Sequence, residues 1–203
     1  MAVSWTAHRF SGGNLALDTT NTVVMRGDAS RSFDRFADVG EIARFAAVAS
    51  GYRAAELGGR ALSAPEPGAI AGTVIGIREA TDRLFRRSVT YGAVDTSDLC
   101  AFTHACSRGL AGRSTTIGRE DAPFGDAGTP IAFETALAVS ALSLLSAGAL
   151  RRIRICANCG WLFLDASRNA SRIWCDMAVC GNRQKARRHY RRQISNREEQ
   201  GHA

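Results

Sequence analysis

Apolar residues recur at helical spacing through most of the first 150 residues. This periodicity predicts three amphipathic helices: one capped by Asp38 and ending near Gly51, one from Ile70 to Gly92, and one from Ser97 to Gly109. A fourth segment, from Pro130 to Leu150, is apolar on nearly all sides, which is typical of a helix at the centre of a domain. The pattern therefore predicts a helical N-terminal domain over residues 1–150.

Other stretches favour extended or irregular structure. The Thr-Thr and Val-Val pairs between Leu15 and Val24 favour a strand, because β-branched residues suit sheets. Residues 111–128 are rich in Gly, Thr and Asp and predict a hairpin or an irregular connection. Ile153 and Ile155 alternate with arginines, as in an edge strand. No long Gly/Pro linker precedes them, so the C-terminal part is expected to pack on the end of the central helix, with a core of its own.

Four cysteines near the C-terminus have metal-ligand spacing. Cys156 and Cys159 form one close pair, Cys175 and Cys180 the other, and fifteen residues separate the pairs. Two such pairs suit one tetrahedral four-sulfur zinc site, and a shell of four thiolates leaves no position for a reactive water. The sequence therefore predicts one structural zinc ion per chain. Two disulfides or four buried thiols are the alternatives.

The order of segments around these cysteines predicts a treble-clef finger over residues 151–203. Trp161 to Asp165 and Ser171 to Trp174 are predicted to pair as a hairpin, and Cys180 then opens a helix from Gly181 to about Ile194. An apolar stripe on that helix, made of Ala186, Tyr190 and Ile194, is expected to pack on the hairpin. The predicted fold class is thus mostly α (α+β), with a small hairpin possible in the N-terminal domain.

The finger segment resembles a known family. Cys156-Ala-Asn-Cys-Gly-Trp, Trp174-Cys-Asp-Met and Cys180-Gly-Asn-Arg-Gln-Lys resemble the CGNR zinc finger. In that family the finger follows an N-terminal ABATE domain, which Leu15-Ala-Leu-Asp-Thr-Thr-Asn-Thr resembles. The resemblance implies a bacterial, stress-induced transcription regulator. It also favours a helix over the stretch where the β-branched pairs favour a strand.

Positive charge is concentrated in the predicted finger. Residues 151–203 carry 12 Lys+Arg and 4 Asp+Glu, a net of +8, whereas residues 1–150 carry 14 and 15, a net of −1. Six cations without an acid lie on the last helix: Arg183, Lys185, Arg187, Arg188, Arg191 and Arg192. Like charges this close repel one another, and a phosphate backbone would relieve that repulsion. DNA is the predicted partner.

Two other functions for the finger stay open, namely an RNA-binding module and a protein-interaction finger without nucleic acid. A solvated basic face with no partner is a further alternative. The exposure of Trp161 and Trp174 would separate DNA binding from RNA binding, because buried rings brace the zinc site whereas exposed rings can stack unpaired bases. Both tryptophans are expected in the core.

The N-terminal domain is expected to bind an effector or to dimerise. Asp18, Asn21 and Arg78 are polar residues in otherwise apolar segments, and they would line a small-molecule pocket if they face one another. Caps and internal salt bridges are the alternative. No nucleophile elbow, phosphate loop, dinucleotide fingerprint or paired-histidine motif is present, so no enzymatic activity is expected.

Several sequence features bear on the cellular location. No apolar run is long enough to span a membrane, and no export signal is visible, so the chain is expected in the cytoplasm. Cys100 and Cys106 lie outside the finger and are expected to be ordinary buried thiols. The sequence leaves open whether the chain forms a homodimer.

Overall fold

Helices make up most of the chain, with three short two-stranded sheets, in a computed structural model that describes residues 3–111 and 128–200. The helices are α1 (Leu15–Thr20), α2 (Gly40–Tyr52), α3 (Pro67–Tyr91), α4 (Thr96–Leu110), α5 (Phe133–Ser143), α6 (Ala147–Leu150) and α7 (Asn182–Gln200). The strands are β1 (Val23–Val24), β2 (Phe33–Asp34), β3 (Leu62–Ser63), β4 (Ile131–Ala132), β5 (Ile153–Ile155) and β6 (Leu162–Leu164). The β1–β2 and β5–β6 pairs are antiparallel, whereas β3 and β4 are parallel. The predicted fold class is confirmed.

The ends of the predicted helices are set by local capping. The Asp38 carboxylate accepts a hydrogen bond of 2.9 Å from the backbone N–H of Gly40, the first residue of α2, from a position one residue ahead of the N-cap Val39. Asp95 caps α4 through the backbone N–H groups of Ser97 and Asp98. Gly92 ends α3 with a φ of 71°, a left-handed conformation that glycine adopts without strain. All three predicted amphipathic helices are therefore present.

The apolar segment from Pro130 to Leu150 is not one helix, and the prediction was wrong here. Ile131 pairs with Leu62 in the parallel β3–β4 bridge, so α5 begins only at Phe133. The segment breaks after Ser143, and the Ser146 side chain caps α6. The expected burial does hold for α5, which packs against α1, α3 and α4.

The stretch from Leu15 to Val24 contains both of the predicted structures. Helix α1 runs to Thr20 and strand β1 follows. The buried Thr19 and Thr20 hydroxyls donate to the carbonyls of Leu15 and Ala16 at 2.9 and 2.8 Å, which satisfies them inside a helix. Residues 112–127, where a hairpin or irregular connection is predicted, lie outside the described residues.

The C-terminal part shares the main core of the helical body. Ile153 of β5 and Leu162 of β6 belong to the same buried cluster as Phe45 and Phe85. The hairpin contacts α1 and α3, and Leu150, at the end of the predicted central helix, packs against the same buried cluster. The finger also has a smaller buried cluster of its own, as expected, made of Cys156, Trp161, Phe163, Cys175 and Cys180. The two clusters meet at the hairpin, because one of its faces is apolar and fits between these helices.

Asn21 joins the body to the hairpin. Its side-chain amide donates to the Leu162 carbonyl at 2.8 Å, and its side-chain oxygen accepts from the Leu162 N–H at 3.1 Å. The side chain thus pairs with β6 as a neighbouring strand would. Nearby, the Leu164 N–H donates to the Gly12 carbonyl at 2.7 Å. The hairpin is therefore fixed to the body by polar as well as apolar contacts.

Replacing Asn21 by alanine is expected to lower the free energy of unfolding by roughly 2–5 kcal/mol, because two buried backbone groups of Leu162 lose their partners. Urea unfolding measures the change. Asn169→Ala, in an exposed loop of the finger, is the matched control and should have little effect. An equal stability for both variants would contradict the assigned role of Asn21.

A buried polar network holds α1 to α2. Asp18 is fully buried and pairs with Arg53 at 2.5 Å, and it accepts a hydrogen bond of 2.8 Å from the Gly12 N–H. Glu56 accepts from the Asn14 side chain at 3.0 Å and from the Leu15 N–H at 2.9 Å. Burial raises the pKa of Asp18 to about 7 in spite of the Arg53 guanidinium.

The raised pKa of Asp18 predicts that stability falls as the pH rises from about 5.5 to 7. The folded state holds the proton up to about pH 7, whereas the unfolded state releases it near a pKa of about 3.9. The free energy of unfolding should therefore fall by roughly 1.5 kcal/mol across that interval. Asp18→Asn should reduce this slope in urea unfolding at several pH values. Asp28→Asn should keep it, because the hydrogen bond from Ser30 lowers the pKa of Asp28 and that acid stays ionised across the interval. An unchanged slope in Asp18→Asn would refute the assignment.

No helix in the described ranges combines the length and the apolarity needed to cross a bilayer.

Candidate metal centre and basic groove

The four cysteine sulfurs of the finger converge on one point. All four Sγ atoms lie within 4.8 Å of one another, and the Cys159–Cys175 and Cys175–Cys180 sulfurs are 3.6 and 3.7 Å apart. A tetrahedral zinc ion with Zn–S bonds of about 2.3 Å places its sulfurs about 3.8 Å apart. None of the four is in a disulfide. The geometry therefore fits a closed four-thiolate zinc site.

The first two ligands lie in the turn between β5 and β6. The Cys156 N–H donates to the Trp161 carbonyl at 2.8 Å, and the Gly160 N–H donates back to the Cys156 carbonyl at 2.9 Å. Gly160 has a φ of 73°, which a residue with a side chain rarely adopts. The turn thus directs Cys156 and Cys159 to the same side.

The hairpin of the finger differs from the predicted one. β6 pairs with β5, and residues 171–174 form no strand. Asp165 holds this connection as a loop, because its carboxylate accepts from the backbone N–H groups of Ser167 and Arg172 at 2.9 and 2.8 Å. The predicted partner strand was wrong because the loop satisfies its backbone with a side chain.

The second ligand pair is held by a capped helical turn. Residues Met177–Gly181 form a π-helical turn ahead of α7, and the Asp176 carboxylate accepts from the N–H groups of Ala178 and Val179 at 2.8 and 3.2 Å. A side chain at Gly181 would collide with the Met177 sulfur. Met177 is 56% exposed and its flexible side chain could move away, so the contact favours glycine at this position only weakly.

The electrostatics of the four sulfurs call for a cation. Hydrogen bonds from Cys159 and Cys175 lower the pKa of Cys156, and the same contact with Cys156 raises the pKa of Cys159. The pKa of Cys175 is raised to about 12, and the largest cause is its side-chain hydrogen bond with Cys156. Four thiolates this close cannot all ionise without a positive charge between them, and Zn²⁺ supplies it.

The segment that carries the four cysteines also matches a known protein family. Residues 152–193 match the CGNR zinc finger family. The resemblance seen in the sequence of this segment is confirmed, and the predicted zinc cofactor with it. No curated protein and no solved structure gives a significant match to the chain. The ABATE-like assignment of the N-terminal part stays a prediction.

Residues distant in sequence support the CGNR finger. His8 Nδ1 lies 2.9 Å from an oxygen of Asp176, and the His8 ring stacks on Trp161 with centroids 5.2 Å apart. Ser11 lies near the Cys175 sulfur and opposes the rise of its pKa, but its buried hydroxyl has no hydrogen-bond partner in the described part of the chain. Asp176 could have been identified from its position before a helical turn, but no sequence signal links His8 or Ser11 to the zinc ligands.

The basic helix α7 borders a groove next to the zinc ligands. The groove encloses about 560 Å³. Five of the six predicted nucleic-acid-binding cations line it, namely Lys185, Arg187, Arg188, Arg191 and Arg192. The other lining residues are Ile173, Trp174, Met177, Gly181 and Gln184. No acid is among these lining residues. Arg183, the sixth cation, does not line the groove.

The apolar stripe predicted on α7 does not pack on the hairpin. Tyr190 is 65% exposed, and Ala186 is exposed as well. The side chain of Ile194 lies outside the described part of the chain. The prediction was wrong for Tyr190 and Ala186, because the hairpin already buries its apolar face against the helical body.

The two finger tryptophans have different environments. Trp161 is 5% exposed and packs with the zinc ligands Cys156 and Cys180. Trp174 is only partly buried and lines the groove with the exposed residues Ile173 and Met177. Trp161 is therefore in the core as expected, whereas one part of Trp174 faces the groove.

The three predicted effector-binding residues bind different partners within the protein. Asp18 pairs with Arg53, Asn21 binds the backbone of Leu162, and Arg78 forms two hydrogen bonds to Asp34 at 2.7 and 2.6 Å. None of the three lines a described groove or cavity. They act here as structural links, and effector binding by them stays a prediction.

The cysteines outside the CGNR finger also differ from each other. Cys106 is buried, and burial raises its pKa to about 12, which keeps the thiol protonated. Cys100 is exposed on α4, so its expected burial was wrong.

Proposed function

We propose that this protein is a DNA-binding transcription regulator whose CGNR finger contacts duplex DNA through the groove beside α7. The observation that carries the proposal is the composition of that groove, with five cations and no acid on its described lining. No acid on the described lining offsets the repulsion between these cations, and DNA phosphates would replace their counterions. The zinc ion holds the groove in place and takes no part in chemistry.

The fixed attachment of the finger supports the same proposal. Asn21 and the shared core hold the hairpin on the body, so binding would not have to order a mobile finger. Preorganised cations lose little conformational entropy on contact with a partner. The regulatory role, the bacterial cytoplasmic setting and the absence of enzymatic activity belong to the proposal as implications of the family resemblance and of the missing catalytic motifs.

RNA is the second candidate partner, and Trp174 is the reason. Its ring lines the groove beside Ile173 and Met177, where an unpaired base could stack. Trp161, the other tryptophan of the finger, is buried and therefore cannot stack on a base. Proteins that bind an extended single strand generally stack its bases on several aromatic rings. With Trp174 as the single tryptophan in the groove, duplex DNA is the favoured partner.

Anisotropy measurements with labelled probes of equal length test the proposal. A DNA duplex, single-stranded DNA, single-stranded RNA and an RNA hairpin would be titrated with the zinc-loaded protein. We expect the duplex to bind most tightly. Tighter binding of either RNA probe, together with a loss of that binding in Trp174→Ala, would replace DNA by RNA. No binding to any probe at low salt would favour a protein-interaction finger.

A further inference from the structure

Two exposed apolar side chains lie among the cations of the α7 groove. Ile173 and Met177 are 58% and 56% exposed, the highest values among the large non-aromatic apolar side chains in the described part of the chain. Both line the groove together with Trp174, which is partly buried against the small cluster around the zinc ligands. The cations account for attraction to phosphates, but they do not account for apolar side chains held in water at the same place.

The backbone holds both side chains at fixed positions on either side of the zinc ligand Cys175. The Ile173 carbonyl accepts a hydrogen bond of 3.1 Å from the N–H of Ala157, which lies in the turn of the first two ligands. Met177 begins the π-helical turn that the Asp176 carboxylate caps. Side chains that displace stacked bases need such support, because a loosely held segment would lose conformational entropy on insertion.

The Met177 side chain and the Trp174 ring meet over the open side of Gly181. A side chain built at Gly181 would contact the Met177 sulfur and would lie 3.4 Å from carbon Cδ1 of the Trp174 ring. Ile173 precedes Trp174 in the chain and lies on the same lining, so the three residues form one apolar patch. The charged residues on the described lining around this apolar patch are all cations.

A phosphate backbone bound to those cations brings base pairs within reach of the apolar patch. Proteins that insert Ile, Met or Phe side chains between base pairs unstack one step and bend the duplex by about 20–90°. The cost of unstacking is lowest where the step is already weak, as at a pyrimidine–purine step or a mismatch. Insertion also removes the apolar side chains from water. Cations and apolar surface in one groove therefore fit a deformable duplex better than a stiff one.

We propose that Ile173 and Met177 insert at a base step of duplex DNA, so that the groove selects DNA by its deformability. This inference rests on the proposed function and adds which duplexes the finger prefers. The cations of α7 bind phosphates next to the opened step, and the more deeply placed Trp174 supports the inserted side chains. Selectivity then arises from the cost of opening a step, without hydrogen bonds to base edges.

Two DNA duplexes that differ at one place provide the test. One is fully paired, the other carries a central mismatch, and both have a fluorescence donor and acceptor at their ends. Each is titrated with the zinc-loaded full-length protein at low salt. We expect the mismatched duplex to bind at least about fivefold more tightly, because its step is already unstacked. Energy transfer should rise on binding, because bending brings the ends closer.

Variants separate insertion from phosphate binding. Ile173→Ser/Met177→Ser should reduce the preference to less than about twofold and remove the rise in energy transfer, because apolar wedges are lost. Its salt dependence should be unchanged, because every cation remains. Met177→Leu keeps an apolar side chain and should keep the preference. Val39→Ser/Val94→Ser changes two exposed apolar residues that do not line the groove and is the matched control. Zinc content verifies that each variant is folded.

Three results would overturn the inference. Equal binding of the two duplexes, or a preference that survives in Ile173→Ser/Met177→Ser, would reject insertion and leave DNA binding intact. Absence of binding to either duplex would reject the proposed function as well. Tighter binding to a single strand of the same sequence than to the mismatched duplex, lost in Trp174→Ala, would assign the apolar patch to the stacking of unpaired bases.

Discussion

Replacement of Cys175 by serine is expected to release the zinc ion and to destabilise the helical body together with the finger. One missing thiolate opens a closed four-sulfur shell, and metal binding contributes about 10–16 kcal/mol to the folding of comparable small zinc sites. The hairpin that holds the first two ligands also contributes Ile153 and Leu162 to the main core. Loss of the zinc ion should therefore destabilise that core as well. Zinc content should fall from one ion per chain to near zero.

Hydrogen exchange distinguishes this outcome from unfolding of the finger alone. Amides of residues 156–160 and 165–181 should lose protection completely, and those of β5, β6 and α1 should lose part of theirs. Cys100→Ser, which changes an exposed thiol outside the cluster, should retain the zinc and the exchange pattern. Full zinc occupancy in a chain that lacks all four finger thiols would refute the site.

Replacement of Arg188 and Arg192 by alanine is expected to weaken duplex DNA binding and to flatten its salt dependence. Both residues line the groove and lie one helical turn apart on α7. If about four cations each neutralise a phosphate, the logarithm of affinity falls against the logarithm of salt with a slope of roughly −3.6. Between about 50 and 200 mM salt the affinity of the unchanged protein then falls on the order of a hundredfold.

The double variant should lose about two units of that slope. Its zinc content should stay at one ion per chain, because neither arginine is a ligand. Arg31→Ala/Arg83→Ala removes the same charge from exposed positions on the helical body and should leave the slope almost unchanged. Equal slopes in the two double variants would show that net charge alone, and not the groove, attracts DNA.

Local patterns in the sequence were sufficient for the helices and the zinc ligands. Asp38, Asp95 and Gly92 act within one helical turn of their own position, so their effects can be inferred from neighbouring residues. The four cysteines are similar, because metal geometry restricts their spacing. The groove cations could be predicted as a group because no acid interrupts them.

Long-range packing explains what the sequence did not predict. The pairing of Ile131 with Leu62 shortened the central helix, and no local signal announces a parallel bridge between residues so far apart. The apolar face of the hairpin packs against α1 and α3 and leaves Tyr190 exposed. His8 and Arg35 reach the Trp161 ring only through the fold, so these contacts could not be inferred from residue spacing.

The fixed joint at Asn21 has a geometric consequence for any pair of copies. Asn21 binds β6 to α1, and His8 binds Asp176 just ahead of the turn on which α7 packs, so the start of α7 has a fixed position on the body. Two copies related by a two-fold axis would present their basic helices at one fixed separation. Such a pair would accept only DNA half-sites with a matching distance, about 34–36 Å for each helical turn between their centres. The rigid contact at Asn21 would then determine the spacing between the two half-sites that such a pair can bind.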